Sequence, residues 1–301
     1  MLGSRLGLLR GPVLGVAVFV LSLISGNAFA DLYSVGPDGN YVPRSFDAVG
    51  SGGTANQFLL GDGSLGFNGG LAYRAANTSF YAVANDSFGS SSLVSFTLGG
   101  GGSYSTVGSL GSGFLGGLAY NSADGFFYAV SSDVSGNATL NRISATGGSV
   151  TALGAIGVGF YGGLVYNPDD GKLYGISADV FGVQSIVNAI DIATLSMVSA
   201  NLGDGSESFT GGLAYDDSAN LFYAIANDFQ GSSVLDSFTA ATSAAPTLVS
   251  ALGQGYVNAS LAWLAANSGG GGSVPEPGSL LLMTTALLAL AFAANRVRYP
   301  Y

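Results

Sequence analysis

The sequence predicts an all-β fold, a five-bladed β-propeller made of four-stranded repeats about 47 residues long. A Leu-Tyr-Ser-Val or Phe-Tyr-Ala-Val strand recurs five times, with its tyrosine at positions 33, 81, 128, 174 and 223. A Gly-Gly-Leu-Ala-Tyr or similar strand precedes four of these copies. Only strands and turns fit between the copies, and the two ends of the series complement each other. These observations together are typical of propeller blades.

Residues 1–30 have the pattern of a secretory signal peptide. Arg5 and Arg10 precede an apolar run over 12–24, and Ala28-Phe29-Ala30 forms an A-x-A cleavage site. The apolar run is short for a bilayer span, which favours cleavage before Asp31 over a retained membrane anchor.

The body of the protein, residues 31–266, is the predicted propeller domain. One repeat divides into four strands, at 117–120, 126–130, 139–144 and 149–153. The Gly-Gly pair at the start of the first strand is expected beside the axis, where backbones approach closely and a sharp turn needs positive φ. Each blade is expected to need two neighbours to bury both of its faces.

The ends of the body predict how the ring closes. The body begins with the second strand of a blade at 31–35 and finishes with a lone first strand at 257–263. Counting gives twenty strands in five blades, with the last strand paired to the first. A β-sandwich or an open repeat array is the alternative fold, although an open solenoid would need no complementary ends.

The C-terminal region has four parts in a fixed order. A Gly/Ser linker at 267–274 is followed by Pro275, Glu276 and Pro277. An apolar stretch at 279–294 predicts a transmembrane helix, and Arg296 and Arg298 form a basic anchor that the positive-inside rule keeps in the cytoplasm. The body is therefore expected outside the inner membrane.

This order, over 275–298, resembles the PEP-CTERM sorting tail of Gram-negative bacteria. The resemblance implies recognition by an exosortase, a membrane protease-transpeptidase, through Pro275, Glu276 and Pro277. It also implies a transient stage in the inner membrane, followed by removal of the helix with Arg296 and Arg298. The body would then reach the cell surface or the extracellular polysaccharide matrix. Separately, Gly-Leu-Val-Tyr-Asn-Pro-Asp-Asp-Gly-Lys-Leu-Tyr at 163–174 resembles NHL-type propeller blades, which implies architecture rather than activity.

Composition excludes several classes of function. The chain has no Cys and no His, which removes disulfides, thiolate chemistry, the usual general base and the commonest transition-metal ligand. The body carries seventeen acidic residues and only four basic ones. Nucleic acid and anionic membrane surfaces are therefore poor partners.

A recurring aspartate is the candidate binding residue. It stands five residues after each repeat tyrosine, where the second strand ends, at Asp38, Asp86, Asp133, Asp179 and Asp228. In a closed ring these five carboxylates share one rim with the loops of Asp62 and Asp204. Carboxylates bind Ca²⁺ and accept hydrogen bonds from sugar hydroxyls. The alternative is structural, because each aspartate can form an Asx turn with the backbone of its loop.

Aromatic residues allow the same two interpretations. The repeated tyrosines and phenylalanines are expected in the core between blades. Phe88, Phe181 and Phe229 follow the rim aspartates and are expected to be exposed, which makes them candidates for stacking on carbohydrate.

The sequence predicts no catalytic residue and no cofactor other than Ca²⁺. Three G-x-G-x-x-G matches, at 61–66, 111–116 and 157–162, precede strands rather than helices, so we interpret them as turns between blades. A glycoside hydrolase propeller would need paired carboxylates in its channel. Glu207 is the only glutamate of the body, and no carboxylate interrupts the first strands of blades 2 to 5.

We therefore expect an exported cell-surface or extracellular-matrix protein, associated with exopolysaccharide and biofilm, whose propeller is a binding or structural module. Its expected partners are an exosortase and extracellular polysaccharide. A glycan-active enzyme and a purely structural component without a ligand are the alternatives.

Overall fold

The computed structural model describes residues 32–50, 52–179, 184–228, 230–239 and 245–264. Within these residues, twenty β-strands form five antiparallel sheets of four strands each. The predicted five-bladed propeller is confirmed. The signal peptide, the linker and the sorting tail, including the helix predicted at 279–294, lie outside the described residues.

The strands of each blade are given from the axis outward. Blade 1 consists of β20 (Ser260–Trp263), β1 (Leu32–Pro37), β2 (Pro43–Gly50) and β3 (Gly53–Leu59). Blade 2 consists of β4 (Leu71–Arg74), β5 (Ser79–Asn85), β6 (Ser90–Phe96) and β7 (Ser105–Ser112). Blade 3 consists of β8 (Phe114–Tyr120), β9 (Phe127–Ser132), β10 (Asn137–Ile143) and β11 (Val150–Val158). Blade 4 consists of β12 (Phe160–Asn167), β13 (Lys172–Ala178), β14 (Ser185–Ile190) and β15 (Met197–Leu202). Blade 5 consists of β16 (Leu213–Asp216), β17 (Leu221–Asn227), β18 (Ser232–Phe238) and β19 (Thr247–Gln254).

Two short 3-10 helices, Ala75–Asn77 and Leu98–Gly100, lie in blade 2. No helix in the described part of the chain is long and apolar enough to cross a membrane.

The ring is closed by the pairing of its two terminal strands. β1 lies antiparallel to β20, with Leu32 opposite Trp263 and Val35 opposite Ser260. Each innermost strand also packs against the innermost strands of both neighbouring blades, in the order β20, β4, β8, β12, β16 and back to β20. The predicted closure is confirmed.

Several strand boundaries differ from the sequence prediction, such as that of β8, which begins at Phe114 rather than at 117, and two of the larger differences have a clear cause. β20 begins at Ser260 rather than at 257, because a turn closed by Ala259 N donating to Tyr256 O precedes it. β11 extends to Val158 instead of ending at 153, because its pairing with β10 continues through two register shifts.

The core lies in five seams, one between each pair of neighbouring blades. In β5, Phe80 and Ala82 face the seam with blade 1, whereas Tyr81 and Val83 face the seam with blade 3. Successive strand residues point to opposite faces, and here both faces are buried. This arrangement explains why Phe-Tyr-Ala-Val reads as an uninterrupted apolar run rather than an alternating one.

Close packing at the axis requires glycine at the start of an innermost strand. Gly117 has φ +99°, and a Cβ there would lie 2.5 Å from the carbonyl carbon of Gly163 in blade 4. At Gly212, a Cβ would lie 2.5 Å from both Leu261 Cβ and the Ser260 carbonyl carbon in blade 1. Such distances leave no room for a side chain, so these glycines allow the blades to meet.

Candidate functional site

The candidate site lies on the end of the propeller that we call the loop face. It carries the loops that follow the second strand of each blade and that begin at residues 38, 86, 133, 179 and 228. It also carries the connections from one blade to the next, at 60–70, 113, 159, 203–212 and 255–259. The five candidate aspartates begin the first set of loops, so the structure places all of them on one face.

Each of these loops is closed by its aspartate backbone. The amide of Asp38, Asp86, Asp133 or Asp228 donates to the carbonyl four residues later, over 2.8 to 3.1 Å. In blade 4, Asp179 N donates to Gln184 O, five residues later, so this loop is one residue longer.

Four of the aspartate side chains also organise their loops. Asp86 Oδ1 accepts hydrogen bonds from Phe88 N and Ser90 N, both at 2.9 Å. Equivalent pairs of bonds are formed at Asp38, Asp133 and Asp228. These bonds stabilise the charged carboxylate and lower the pKa of Asp86, to which Ser90 N contributes most. The Asx-turn interpretation therefore accounts for the geometry of these four residues, whereas a ligand-binding role for the five aspartates stays a prediction.

Asp38 has an additional charged partner. Arg44 Nε donates to Asp38 Oδ2 at 2.6 Å, and Arg44 Nη1 donates to Gly61 O at 2.9 Å. The guanidinium hydrogen bond is the main reason that the pKa of Asp38 is lowered. Arg44 thus ties the loop of blade 1 to the connection between blades 1 and 2.

At two other aspartates the backbone hydrogen bonds reach only one carboxylate oxygen. Both bonds at Asp86 and both at Asp228 are accepted by Oδ1, and the side chains of Ser90 and Ser232 also interact with these carboxylates. In contrast, Asp133 Oδ2 accepts from Asn137 Nδ2 at 2.8 Å. A carboxylate has about four acceptor sites, so Asp86 and Asp228 still have acceptor capacity for a ligand.

The tips of the loops expose large apolar side chains. Phe88 is 93% exposed, Tyr41 is 86% exposed, and Val134 is fully exposed. The predicted exposure of Phe88 is confirmed, whereas Phe181 and Phe229 lie outside the described residues. Tyr41 was not identified from the sequence. Tyr41 stands three residues after its loop aspartate, Asp38, whereas Phe88 stands two residues after Asp86.

A second ring of side chains surrounds the axis on the same face. It consists of the residues that precede the Gly-Gly pair or its Ala259-Ser260 counterpart, namely Asn68, Leu115, Tyr161, Thr210 and Asn258. Leu115 and Tyr161 are both about half exposed. A Cβ at Gly136, in the loop of blade 3, would lie 3.5 Å from the Tyr161 hydroxyl, so Tyr161 extends from the axis toward that loop. In the sequence, this ring is marked by the residue that precedes Gly-Gly-Leu, which differs between the repeats while Gly-Gly-Leu itself recurs in four of the five.

The mouth of the axis on this face has little space for a ligand. The depression inside this ring has a volume of about 10 Å³, enough for a single water molecule. Its lining includes no carboxylate. Any larger ligand of the loop face must therefore bind over the mouth and the loops rather than inside the channel.

Charge is distributed unevenly between the two ends of the propeller. Arg44 is on the loop face, whereas Arg74 and Lys172 are at the opposite ends of their strands.

On that opposite face, the hydroxyls of Tyr128 and Tyr174 donate to Asp124 Oδ2 and Asp170 Oδ2, both at 2.7 Å. Burial, and then these carboxylates, raise the pKa of both tyrosines well above its ordinary value. The opposite face thus uses these carboxylates internally.

Acidic side chains do not cluster in threes anywhere in the described chain. No group of three or more acidic residues there is close enough to hold a metal ion. The five rim aspartates therefore do not jointly surround one cation.

Comparison with known proteins identifies the C-terminal region. Residues 273–297 match the model of the PEP-CTERM protein-sorting motif, as predicted. This motif implies an exported protein that is anchored in the inner membrane of a Gram-negative bacterium and processed by an exosortase. The comparison with curated proteins finds no match.

Solved structures resemble the body in fold. A chain in the crystal structure of a nidogen/laminin complex is 14% identical, with a TM-score of 0.51, over 74% of this chain and 79% of that chain. Putative TolB from Agrobacterium tumefaciens is 14% identical, with a TM-score of 0.47, over 78% of this chain and 91% of that chain. The exo-β-1,3-galactanase 1,3Gal43A from Clostridium thermocellum is 14% identical, with a TM-score of 0.48, over 67% of this chain and 52% of that chain. At such identities the likeness concerns the fold alone.

Proposed function

We propose that the propeller is a non-catalytic module that binds polysaccharide on its loop face, in the extracellular matrix or biofilm to which the sorting signal delivers it. The exposed rings at the loop tips and the mouth, next to carboxylates on the same face, are the observation that carries this proposal. Aromatic rings stack on the apolar faces of sugars, and carboxylates accept hydrogen bonds from sugar hydroxyls.

The bonds of the aspartates support binding as well as folding. Asp86 Oδ1 holds the amide of Phe88, so the ring is presented on a fixed backbone. A fixed loop loses less conformational freedom when it binds, which improves affinity. The Asp86 carboxylate is then an acceptor in the same loop as the ring. The structural and the functional interpretations of this residue are therefore compatible.

The charge of the protein favours an uncharged ligand. The acidic body repels anionic polymers, and Arg44 on the loop face is already paired with Asp38. We therefore favour a neutral polysaccharide over an acidic one.

The mouth of the channel supports a non-catalytic role. Glycoside hydrolysis requires two carboxyl groups on either side of the scissile bond, about 5 to 10 Å apart. The lining of the mouth includes no carboxyl group, and backbone nearly fills it. A chain of sugars would therefore lie across the loop face without meeting a catalytic pair there.

The test is binding of the full-length protein to neutral and anionic exopolysaccharides of the host. We expect Phe88→Ala, Tyr41→Ala and Tyr161→Ala each to weaken binding to a neutral polymer by about tenfold, the effect of about 1.4 kcal/mol. Leu248→Ala is the matched control, because Leu248 is 64% exposed but lies on the outer strand β19. Equal binding by the three variants and the wild type would refute the proposed surface. Release of reducing ends from any of these polymers would refute the non-catalytic role.

A further inference from the structure

The outermost strands of the five blades, β3, β7, β11, β15 and β19, are free edges. Within the described residues, each of them is the last strand of its sheet. A free edge presents unpaired N–H and C=O groups to other chains, so proteins protect such edges with charged side chains, proline or bulges. None of these five strands contains a charged residue or a proline. Of these three devices, they can therefore use only the bulge.

Four of the five outermost strands do have bulges, and β15 does not. The pairs β6–β7, β10–β11 and β18–β19 each contain two register shifts, and the pair β2–β3 contains one. In each shift the extra residue belongs to the outermost strand, as Leu153 and Ile156 do in β11. In contrast, β15 pairs with β14 over its whole length without a shift. A bulge bends and twists a strand, so among the described strands only β15 offers a regular edge to another chain.

The hydrogen bonds of the adjoining turn show which groups of β15 point outward. Asp191 N donates to Ser196 O at 3.0 Å, just before the strand begins. Hydrogen-bonded pairs alternate along an antiparallel ladder, so the even-numbered residues of β15 bond to β14. The odd-numbered residues, Met197, Ser199 and Asn201, therefore direct their N–H and C=O groups away from the blade. All three are exposed.

This edge is complementary to a second copy of itself. An antiparallel pairing centred on Ser199 places Met197 of each copy opposite Asn201 of the other, so every outward residue gains a partner and about six hydrogen bonds form. The same register places Val198, which is 65% exposed, opposite Ala200 on one face of the sheet. The body carries seventeen acidic residues and four basic ones, so two copies repel each other where charges meet. β15 brings no charge into the contact.

We propose that β15 is a self-association surface, which pairs with β15 of a second copy and joins the two blades 4 into one eight-stranded sheet. The pairing has two-fold symmetry, as in most homodimers. The interface is small, so we expect a dissociation constant on the order of 10 to 100 µM. Because the paired strands run in opposite directions, the two loop faces point in opposite directions as well. The inference does not depend on the proposed binding of polysaccharide, although such a dimer could cross-link two polysaccharide chains.

The test is disulfide formation by single-cysteine variants of the full-length protein. The chain has no Cys, so one introduced cysteine can cross-link only two copies. Hydrogen-bonded partners have Cα atoms about 5.5 Å apart, which a disulfide can span. With mild oxidation at about 100 µM protein, we expect Ser199→Cys to form at least about tenfold more covalent dimer than Thr106→Cys. Thr106 is the matched control, because it lies opposite Val94 on the bulged strand β7, as Ser199 lies opposite Asn188 on β15.

A second substitution in the Ser199→Cys chain tests the edge itself. Val198→Asp should lower the yield of dimer by about tenfold, because it places like charges close together across the two-fold axis. Leu248→Asp is its control, since Leu248 is 64% exposed but lies on the bulged strand β19. It should leave the yield unchanged.

A mixing experiment covers the case in which Ser199→Cys disturbs the fold. This substitution removes the hydrogen bond that Ser199 Oγ donates to Asn188 Oδ1 at 2.7 Å. Met197→Cys and Asn201→Cys face each other in the proposed register, so an equal mixture of the two should cross-link, whereas each alone should yield at most about a tenth as much dimer.

Equal yields from Ser199→Cys and Thr106→Cys would overturn the proposal, because the contact would then not be specific to β15. Absence of dimer from both Ser199→Cys and the mixture would also overturn it. A cross-link between Ser199→Cys and another protein, without any dimer, would refute the second copy as the partner of this edge.

Discussion

Replacing Gly212 by alanine tests whether the ring is held by direct backbone contact at the axis. The added Cβ would lie 2.5 Å from Leu261 Cβ and from the Ser260 carbonyl carbon, whereas ordinary contacts begin at 3.4 Å. The Cβ would lie closer still to Leu261 N, so the start of β16 and the start of β20 must separate by more than about 1 Å. β20 is paired to β1, so this separation strains the strand pair that closes the ring.

We expect Gly212→Ala to lower the free energy of unfolding by about 3 kcal/mol, which is the upper end of the range for overpacked sites. Urea slopes for a domain of this size are about 2 to 3 kcal/mol per molar, so the unfolding midpoint should fall by about 1 M. Trp263 is the only tryptophan of the chain and lies on β20, stacked on Tyr223 with ring centroids 5.6 Å apart. Its fluorescence therefore reports the closing strand directly.

Gly39→Ala is the control for this experiment. A Cβ at Gly39 has no atom within 4 Å, so the substitution should change stability by no more than about 0.5 kcal/mol. If Gly212→Ala and Gly39→Ala unfold at the same urea concentration, the inner strands do not meet as closely as the structure shows. Close packing at the axis would then not require glycine.

Two further predictions concern a buried hydrogen bond and the sorting signal. Tyr256→Phe removes the hydroxyl that donates to Asp47, so we expect the free energy of unfolding in urea to fall by about 1 to 3 kcal/mol. The control is Tyr41→Phe, at an exposed loop tip, which should leave this free energy unchanged. Equal stability of the two variants would contradict the role of the Tyr256 hydrogen bond. Alanines at 275–277 should keep the protein in the membrane fraction, as seen by fractionation and immunoblotting, because the exosortase no longer recognises it. Alanines at 269–271, in the linker, should leave release normal, and normal release of the 275–277 variant would refute the role of Pro-Glu-Pro.

The fold was predictable because its information is repeated. The repeat tyrosine, the Gly-Gly pair and the turn aspartate each occur in several copies at nearly constant spacing, so each copy supports the interpretation of the others. The strand count followed from the ends of the series, and β1 does pair with β20. The sorting motif was predictable for a different reason, since it is a short linear signal whose parts adjoin in sequence.

The candidate surface was only partly predictable. The sequence located the aspartates and Phe88, but it missed Tyr41 and Tyr161. The role of Tyr161 depends on which neighbouring blade its side chain reaches, and Gly136 belongs to a different repeat. Spacing along the chain carries no such information.

The sequence alone determined the number of blades, the closure of the ring, the face that carries the aspartates and the signal for export. Which polar groups are satisfied became clear from the folded chain. Asp47 and Asp236 occupy the same position in their repeats. Asp47 accepts a hydrogen bond from the Tyr256 hydroxyl, whereas burial, and then the charge of Glu207, raise the pKa of Asp236. Repetition fixes the backbone, because every blade needs the same strands and turns. The free energy of a buried charge depends instead on side chains that only folding brings together.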